Sequence, residues 1–206
     1  MAEALNAFVV LFIVVDPVGV AWMFATITVG YELIQQRRMA IMGVSFALIF
    51  MFLFFFLGDT ILRWMGISLA AFRIAGGILL FLLALEMVFA RQSGLRSTTI
   101  GEQHEAEHKQ DVSVFPLAFP LLAGPGALAT VMLMAGKTDS FSERMIFSGV
   151  IFSVCAITLV ALLMARTLSV RLGEIGANVI SRLLGLILTA LAVQYVIDGI
   201  KQSFFV

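Results

Sequence analysis

Between Glu3 and Glu32 the chain carries one formal charge, Asp16, and a proline follows it directly. Proline inside a helix removes a backbone donor and clashes with the preceding turn. Asp followed by Pro is also how a helix begins, with Asp as the N-cap and Pro at the first helical position. The stretch Asp16-Pro17-Val18-Gly19 therefore predicts a helix that stops and restarts in the middle of an apolar run. In a bilayer that break lies near the midplane, where unwound backbone is tolerated only if it is buried in protein or lines a cavity. The restarted helix then points its free N–H groups into the cavity.

The rest of the chain supplies the bilayer. Only 13% of the 206 residues are charged and 61% are apolar, against roughly 25% charged in soluble domains. The mean hydropathy is +1.07. Apolar runs at about 5–29, 39–57, 71–90, 112–135, 145–165 and 180–197 predict an all-α polytopic membrane protein with six spans, each long enough for a hydrocarbon core of about 30 Å. Met1-Ala2-Glu3-Ala4 has no basic n-region, so the first run reads as a retained span and not a cleaved signal. Net charge is zero, which gives no reason to expect a nucleic-acid partner. The single cysteine, Cys155, lies in an apolar run and reads as a small packing residue. The one extended polar segment, 91–111, holds His104 and His108 four apart among carboxylates. That spacing can bind a metal on a helix, but no further histidine exists, so a solvated linker is expected and no metal or cofactor.

The two sides of that linker repeat one another. Pro17 and Pro125, Arg73 and Arg182, Phe12 and Phe119, and Gly43 and Gly149 stand at nearly constant separation. This divides one transmembrane domain, 1–206, into a first repeat, 1–90, the linker, and a second repeat, 112–206. Three spans per repeat is an odd number, so the repeats insert in opposite orientations. Broken segments at matching places of inverted repeats point to a transporter binding site. Eight Lys and Arg fall on the linker side and five on the other. By the positive-inside rule the linker is cytoplasmic and both termini lie on the periplasmic side.

These residues resemble the MarC/SnatA family of bacterial inner-membrane proteins. The resemblance rests on Asp16-Pro17-Val18-Gly19, Arg73-Ile74-Ala75-Gly76-Gly77, Ala84-Leu85-Glu86-Met87, Pro120-Leu121-Leu122-Ala123-Gly124-Pro125-Gly126 and Arg182-Leu183-Leu184-Gly185, and covers essentially the whole chain. It implies six spans, a place among small exporters of the LysE kind, and transport of glycine or alanine as in the SnatA branch. One departure stands out. Where many relatives follow the first-repeat glycine with Asn and then Pro, this chain has Val20, Ala21 and Trp22, which removes an amide near the break and adds an indole.

The candidate substrate-binding residues are Asp16, Pro17, Gly19, Gly124, Pro125 and Gly126. A carboxylate near the bilayer centre costs about 2.5–3.5 kcal/mol on insertion scales, and an N-cap contributes only about 1 kcal/mol. Capping alone does not explain Asp16, and the second repeat manages with Gly124 in its place. The candidate gate or coupling residues are Arg73, Glu86, Arg182 and Gln194; Arg73 and Arg182 also read as headgroup anchors and Glu86 as a snorkelling residue near its span end, while Gln194 stands at the depth in the sixth span that matches Glu86. Thr26, Thr130 and Thr189 read as hydroxyls satisfied within their own helices. No enzyme is expected. An intramembrane serine protease needs a membrane histidine, a thiol–disulfide conductor needs paired cysteines, and neither is present. The leading expectation is a transporter of a small neutral amino acid. Its rivals are a carrier of a metal cation or another small solute, and a non-transporting membrane scaffold. The expected partners are a small-molecule substrate and the lipid bilayer, with a homo-oligomer left open.

Overall fold

The computed structural model describes residues 2–89, 112–136, 138 and 140–204, and every regular element among them is helical. The expected linker, with His104 and His108, lies outside the described residues. In chain order the elements are α1 (Ala2–Val15), α2 (Pro17–Ile27), α3 (Leu33–Trp64), α4 (Leu69–Phe89), an irregular wide-turn segment Ser113–Leu122, α5 (Pro125–Ala135), α6 (Phe141–Leu163) and α7 (Ala165–Phe204). Five helical stretches are long and apolar enough to cross a membrane, the first being Glu3–Ile27 across the break. The bent pair Ser113–Leu122 and Pro125–Ala135, with 59° between its halves, makes a sixth when its two halves are counted as one broken span. The chain is thus the all-helical membrane protein that its hydropathy predicts.

Both expected breaks are present, and they differ in extent. At the first, a single residue leaves the helix: Asp16 adopts φ 51°, ψ 67°. Asp is one of the few side chains that visits this left-handed region. The hydrogen-bond ladder nearly survives. Asp16 N donates to Phe12 O at 2.9 Å, and Val20 N donates to Asp16 O at 3.0 Å. The second break is longer. Phe115 (φ −133°, ψ 126°) and Phe119 (φ −134°, ψ 129°) are extended inside the segment. Each precedes a proline, whose ring pushes the residue before it out of the helical region.

Two connectors expected as loops are largely helical. Helix α3 runs through Gly58 and stops only at Trp64, carried by an Asp59–Arg63 ion pair one turn apart at 2.9 Å. It ends in a Schellman motif, in which Gly66 at φ +70° donates to Arg63 O and Ile67 donates to Leu62 O. Between α6 and α7 only Met164 intervenes, and the expected 166–178 connector is helix. It is interrupted at Gly173 (φ 63°, ψ −179°), a conformation essentially restricted to glycine.

The broken spans lie inside and the unbroken ones around them. In the first span 61% of the most apolar window is buried, against 22–39% in the four unbroken spans. Helix α5 is buried on all sides, from Gly126 and Ala127 through Ala129 to Met134. A helix that is apolar all round belongs in an interior. Helices α3 and α6 instead expose Leu53, Phe56, Ile146 and Phe152, the faces for lipid.

Helices α4 and α7 pack antiparallel with their backbones almost touching. A Cβ on Gly77 would stand 2.9 Å from Ala192 O, one on Gly185 3.2 Å from Ala84 O, and one on Gly199 2.9 Å from Ala70 O. Lipid tails are as apolar as leucine, so helices in a bilayer associate through this close packing of small residues. Gly43 lies against Leu117 and Gly58 against Met132, which sets α3 parallel to the fourth span. Helix α6 leans on α1 and α2. Buried Cys155 of α6 meets Met51 of α3, with sulfurs 3.8 Å apart, in the packing role its sequence context predicts.

Candidate functional site

The site grows from the Asp-Pro-x-Gly spacing. Pro17 opens α2 with its fixed φ and needs no acceptor, since the first N–H groups of a helix have none. Asp16 caps this helix: its Oδ1 accepts from Gly19 N at 3.1 Å. A Cβ on Gly19 would run into Asp16 Oδ2 and stand 2.9 Å from Ser181 Oγ. Glycine at this position is therefore a space requirement of the carboxylate, and no positive φ is involved. Pro17 and Asp16 are buried, Asp16 to 1% exposure.

The second carboxylate oxygen reaches across the chain. Ser181 Oγ donates to Asp16 Oδ2 at 2.8 Å, over a sequence separation of 165 residues. Ser181 immediately precedes the Arg182-Leu183-Leu184-Gly185 motif, so the break in the first span docks on the motif of the sixth. Sequence reasoning missed Ser181. A serine in an apolar helix carries no signal of its own, because its hydroxyl usually bonds the preceding turn. Thr26, Thr130 and Thr189 do this, donating to Trp22 O, Gly126 O and Gly185 O.

At the second break Gly124 is the N-cap and Pro125 the first helical residue. Gly124 has an ordinary φ of −70°; it is small because a Cβ there would strike Pro120 O. Gly126 packs on α4 and α1, with a Cβ position 3.0 Å from Leu83 Cδ2 and 3.6 Å from Val14 Cγ1. Through Val14 the two breaks are neighbours. The crevice between them is lined by Val14, Leu83, Pro120 and the Gly124-Pro125-Gly126 string, with a free volume of about 10 Å³, room for a single water. Asp16 is not in its lining. The carboxylate faces α7 while the Gly124–Gly126 crevice faces α4, so the six substrate-site candidates form two adjacent clusters.

The gate candidates occupy the two ends of the α4–α7 pair. Arg73 is half-buried, its Nε has no hydrogen-bond partner among the described residues, and it lies within electrostatic range of Tyr195, as does Asp198. Glu86, half-buried, sits beside Met87, which packs on Gly185. Arg182 is exposed. Gln194 is also exposed and donates Nε2 to Asp198 Oδ1 at 2.7 Å. Where relatives are expected to carry an amide after Gly19, Val20 and Ala21 are fully buried and Trp22 half-buried. Val20 and Ala21 pack into the core.

Sequence comparison places the chain among known membrane proteins. The family model described as MarC family integral membrane protein matches residues 1–204. A UPF0056 membrane protein of Methanocaldococcus jannaschii is 35% identical over 198 residues, 96% of this chain and 95% of that one. The UPF0056 membrane protein YhcE of Escherichia coli is 36% identical, covering 96% and 91%. YvbG of Bacillus subtilis, another UPF0056 membrane protein, is 34% identical, covering 97% and 94%. No solved structure matches the chain. With five to six candidate spans, helix breaks at Asp-Pro and Gly-Pro, and full-length similarity reaching from bacteria to archaea, the chain belongs to the MarC family of integral membrane proteins.

Proposed function

We propose that this protein is a secondary transporter that carries a small neutral amino acid, of the glycine or alanine class, across the inner membrane, with both termini on the periplasmic side. One observation carries the reading: a carboxylate at 1% exposure sits halfway along a membrane span, at a helix break. Ionisable groups at such depth are costly and mark substrate or ion pathways. Asp16 binds the substrate ammonium. The N-termini of α2 and α5, with their partial positive charge, hold the carboxylate.

Inverted repeats rocking about this site give alternating access. The helix contacts support the exchange of halves, since each has a counterpart. The first span leans on α6 as the fourth leans on α3, α3 meets α6, and α4 meets α7. The narrow crevice at Gly124–Gly126 suits an occluded state. Arg73 with Tyr195 and Asp198 forms one gate of this scheme, and Glu86 with Arg182 the other. Gln194 acts only through Asp198.

The test is uptake and efflux of labelled glycine and alanine in proteoliposomes, with and without a proton gradient. Saturable flux above that of empty liposomes is expected. Flux no greater than in empty liposomes for both amino acids overturns the reading.

A further inference from the structure

Another cavity opens at the end of the bundle where α1 begins. Glu3 and Asn6 of α1 wall it on one side and Tyr195 of α7 on another, while Leu133, Met134 and Phe147 supply apolar walls. Its free volume is about 30 Å³, room for about two waters. Glu3 and Asn6 are exposed and Tyr195 is half-buried, so the mouth lies at α1 and the phenol deeper.

Arg73 of α4 stands beside Tyr195. A Cβ on Gly77, one turn further along, would be 3.0 Å from Val196 N, and one on Gly199 2.6 Å from Ile74 Cγ1, so α4 and α7 are in contact on both sides of this level. The charge of Arg73 reaches Tyr195. Arg73 forms no ion pair among the described residues, and its buried Nε has no hydrogen-bond partner there. Asp198, the acid at this level of α7, is bonded to Gln194. A guanidinium drawn partly out of water calls for an anion, and a buried polar atom without a protein partner marks a place for an ion or water. The planar N–H fork matches a carboxylate. At the mouth the sign is reversed. Glu3 and Asn6 lie one turn apart on the same face of α1, and Glu3 forms no ion pair among the described residues. A small ligand that carries both signs meets both.

We propose that this cavity is a second amino-acid subsite, in which Arg73 and the Tyr195 hydroxyl take the substrate carboxylate and Glu3 takes the ammonium. Thirteen residues of α1 separate Glu3 from Asp16, about 20 Å of helix, so the two sites are distinct. The proposal rests on the transport reading above and, with the termini periplasmic, adds a station at the outer end of the path.

The reporter is a thiol introduced by Asn6→Cys in a Cys155→Ala background of the full chain, held in nanodiscs and modified by a soluble methanethiosulfonate. Glycine should slow the modification. Acetate offers only the carboxylate and ethanolamine only the ammonium, so each should protect at higher concentration than glycine. Arg73→Gln should abolish protection by glycine and acetate and spare that by ethanolamine. Glu3→Gln should abolish protection by ethanolamine and spare that by acetate. Tyr195→Phe should raise the glycine concentration for half protection about tenfold, the worth of one hydrogen bond to a charged group. Arg73→Lys keeps the charge and loses the fork; it should weaken glycine protection and provides the readout if the glutamine variant does not insert. Modification that neither glycine nor acetate slows overturns the subsite, as does protection left unchanged in both Arg73 variants. A rate that follows the phosphatidylglycerol content of the nanodisc and ignores glycine also overturns it, and assigns Arg73 to a lipid headgroup. Glycine flux in proteoliposomes separates the two readings. Flux without protection removes the subsite and leaves transport standing, whereas protection without flux upholds the cavity as a binding site and removes transport.

Discussion

Gly185 of α7 lies so close to Ala84 of α4 that a Cβ on the glycine would stand 3.2 Å from the alanine carbonyl oxygen. The same glycine would place a Cβ 2.8 Å from that of Met87. Backbone atoms cannot turn away as a flexible side chain can. Gly185→Val should therefore force the helix pair apart and destabilise by roughly 1–3 kcal/mol or more. The control is Gly149→Ala, where nothing lies within 4 Å. It should be neutral or stabilising by about 0.5–1 kcal/mol through reduced backbone entropy. Thermal unfolding in detergent checks both, and equal midpoints for the two variants would remove the close packing from the account of the fold.

The second break makes a comparable demand. Gly124→Ala sets a methyl group against Pro120 O, which belongs to the backbone of the same bend. The bend must open, at a cost of roughly 1–3 kcal/mol. A lower unfolding midpoint is expected for Gly124→Ala. Leu128→Ala, half-buried on the same half-helix, should lose stability without altering the bend, which spin-label distances between 119 and 130 can distinguish.

Asp16 separates the cap from the charge. Asp16→Asn keeps an oxygen for Gly19 N and removes the negative charge. It should fold and insert, and lose about 10- to 100-fold in transport of glycine, the range of a hydrogen bond to a charged group. Asp16→Ala should lose transport and about 1 kcal/mol of stability as well, since the cap goes too. Wild-type flux in Asp16→Asn would reduce the residue to a helix cap.

Membrane orientation is accessible through α3, whose ends emerge on opposite sides. Trp64 is 89% exposed at one end and Ile34 77% exposed at the other. In a Cys155→Ala background, which removes the native buried thiol, the charge bias predicts that a cysteine at 64 reacts with an impermeant maleimide added outside intact cells. A cysteine at 34 should stay protected until the membrane is opened. The reverse pattern would invert the topology.

The sequence by itself determined the medium, the crossings and the positions of the breaks. These depend on local properties: an apolar run buries itself in lipid wherever it falls, and a proline opens a helix or extends the residue before it regardless of its neighbours. Hence Asp16-Pro17 and Gly124-Pro125 were legible as helix starts. Helix ends were less so. The charged stretch after Gly58 reads as a loop, yet Asp59 and Arg63 pair along a helix that continues until Gly66 can take a positive φ.

The partners of those elements were decided only by the tertiary structure. The glycines of the Arg73–Gly77 and Arg182–Gly185 motifs mark backbones in contact, but nothing in either motif says that each faces the helix bearing the other. Ser181 is the sharper case. It lies 165 residues from Asp16, and its hydroxyl would have been satisfied by its own helix like those of Thr26 and Thr189. A hydrogen bond between distant residues depends on distance and angle in space, which packing sets, so one strand of sequence holds no record of it.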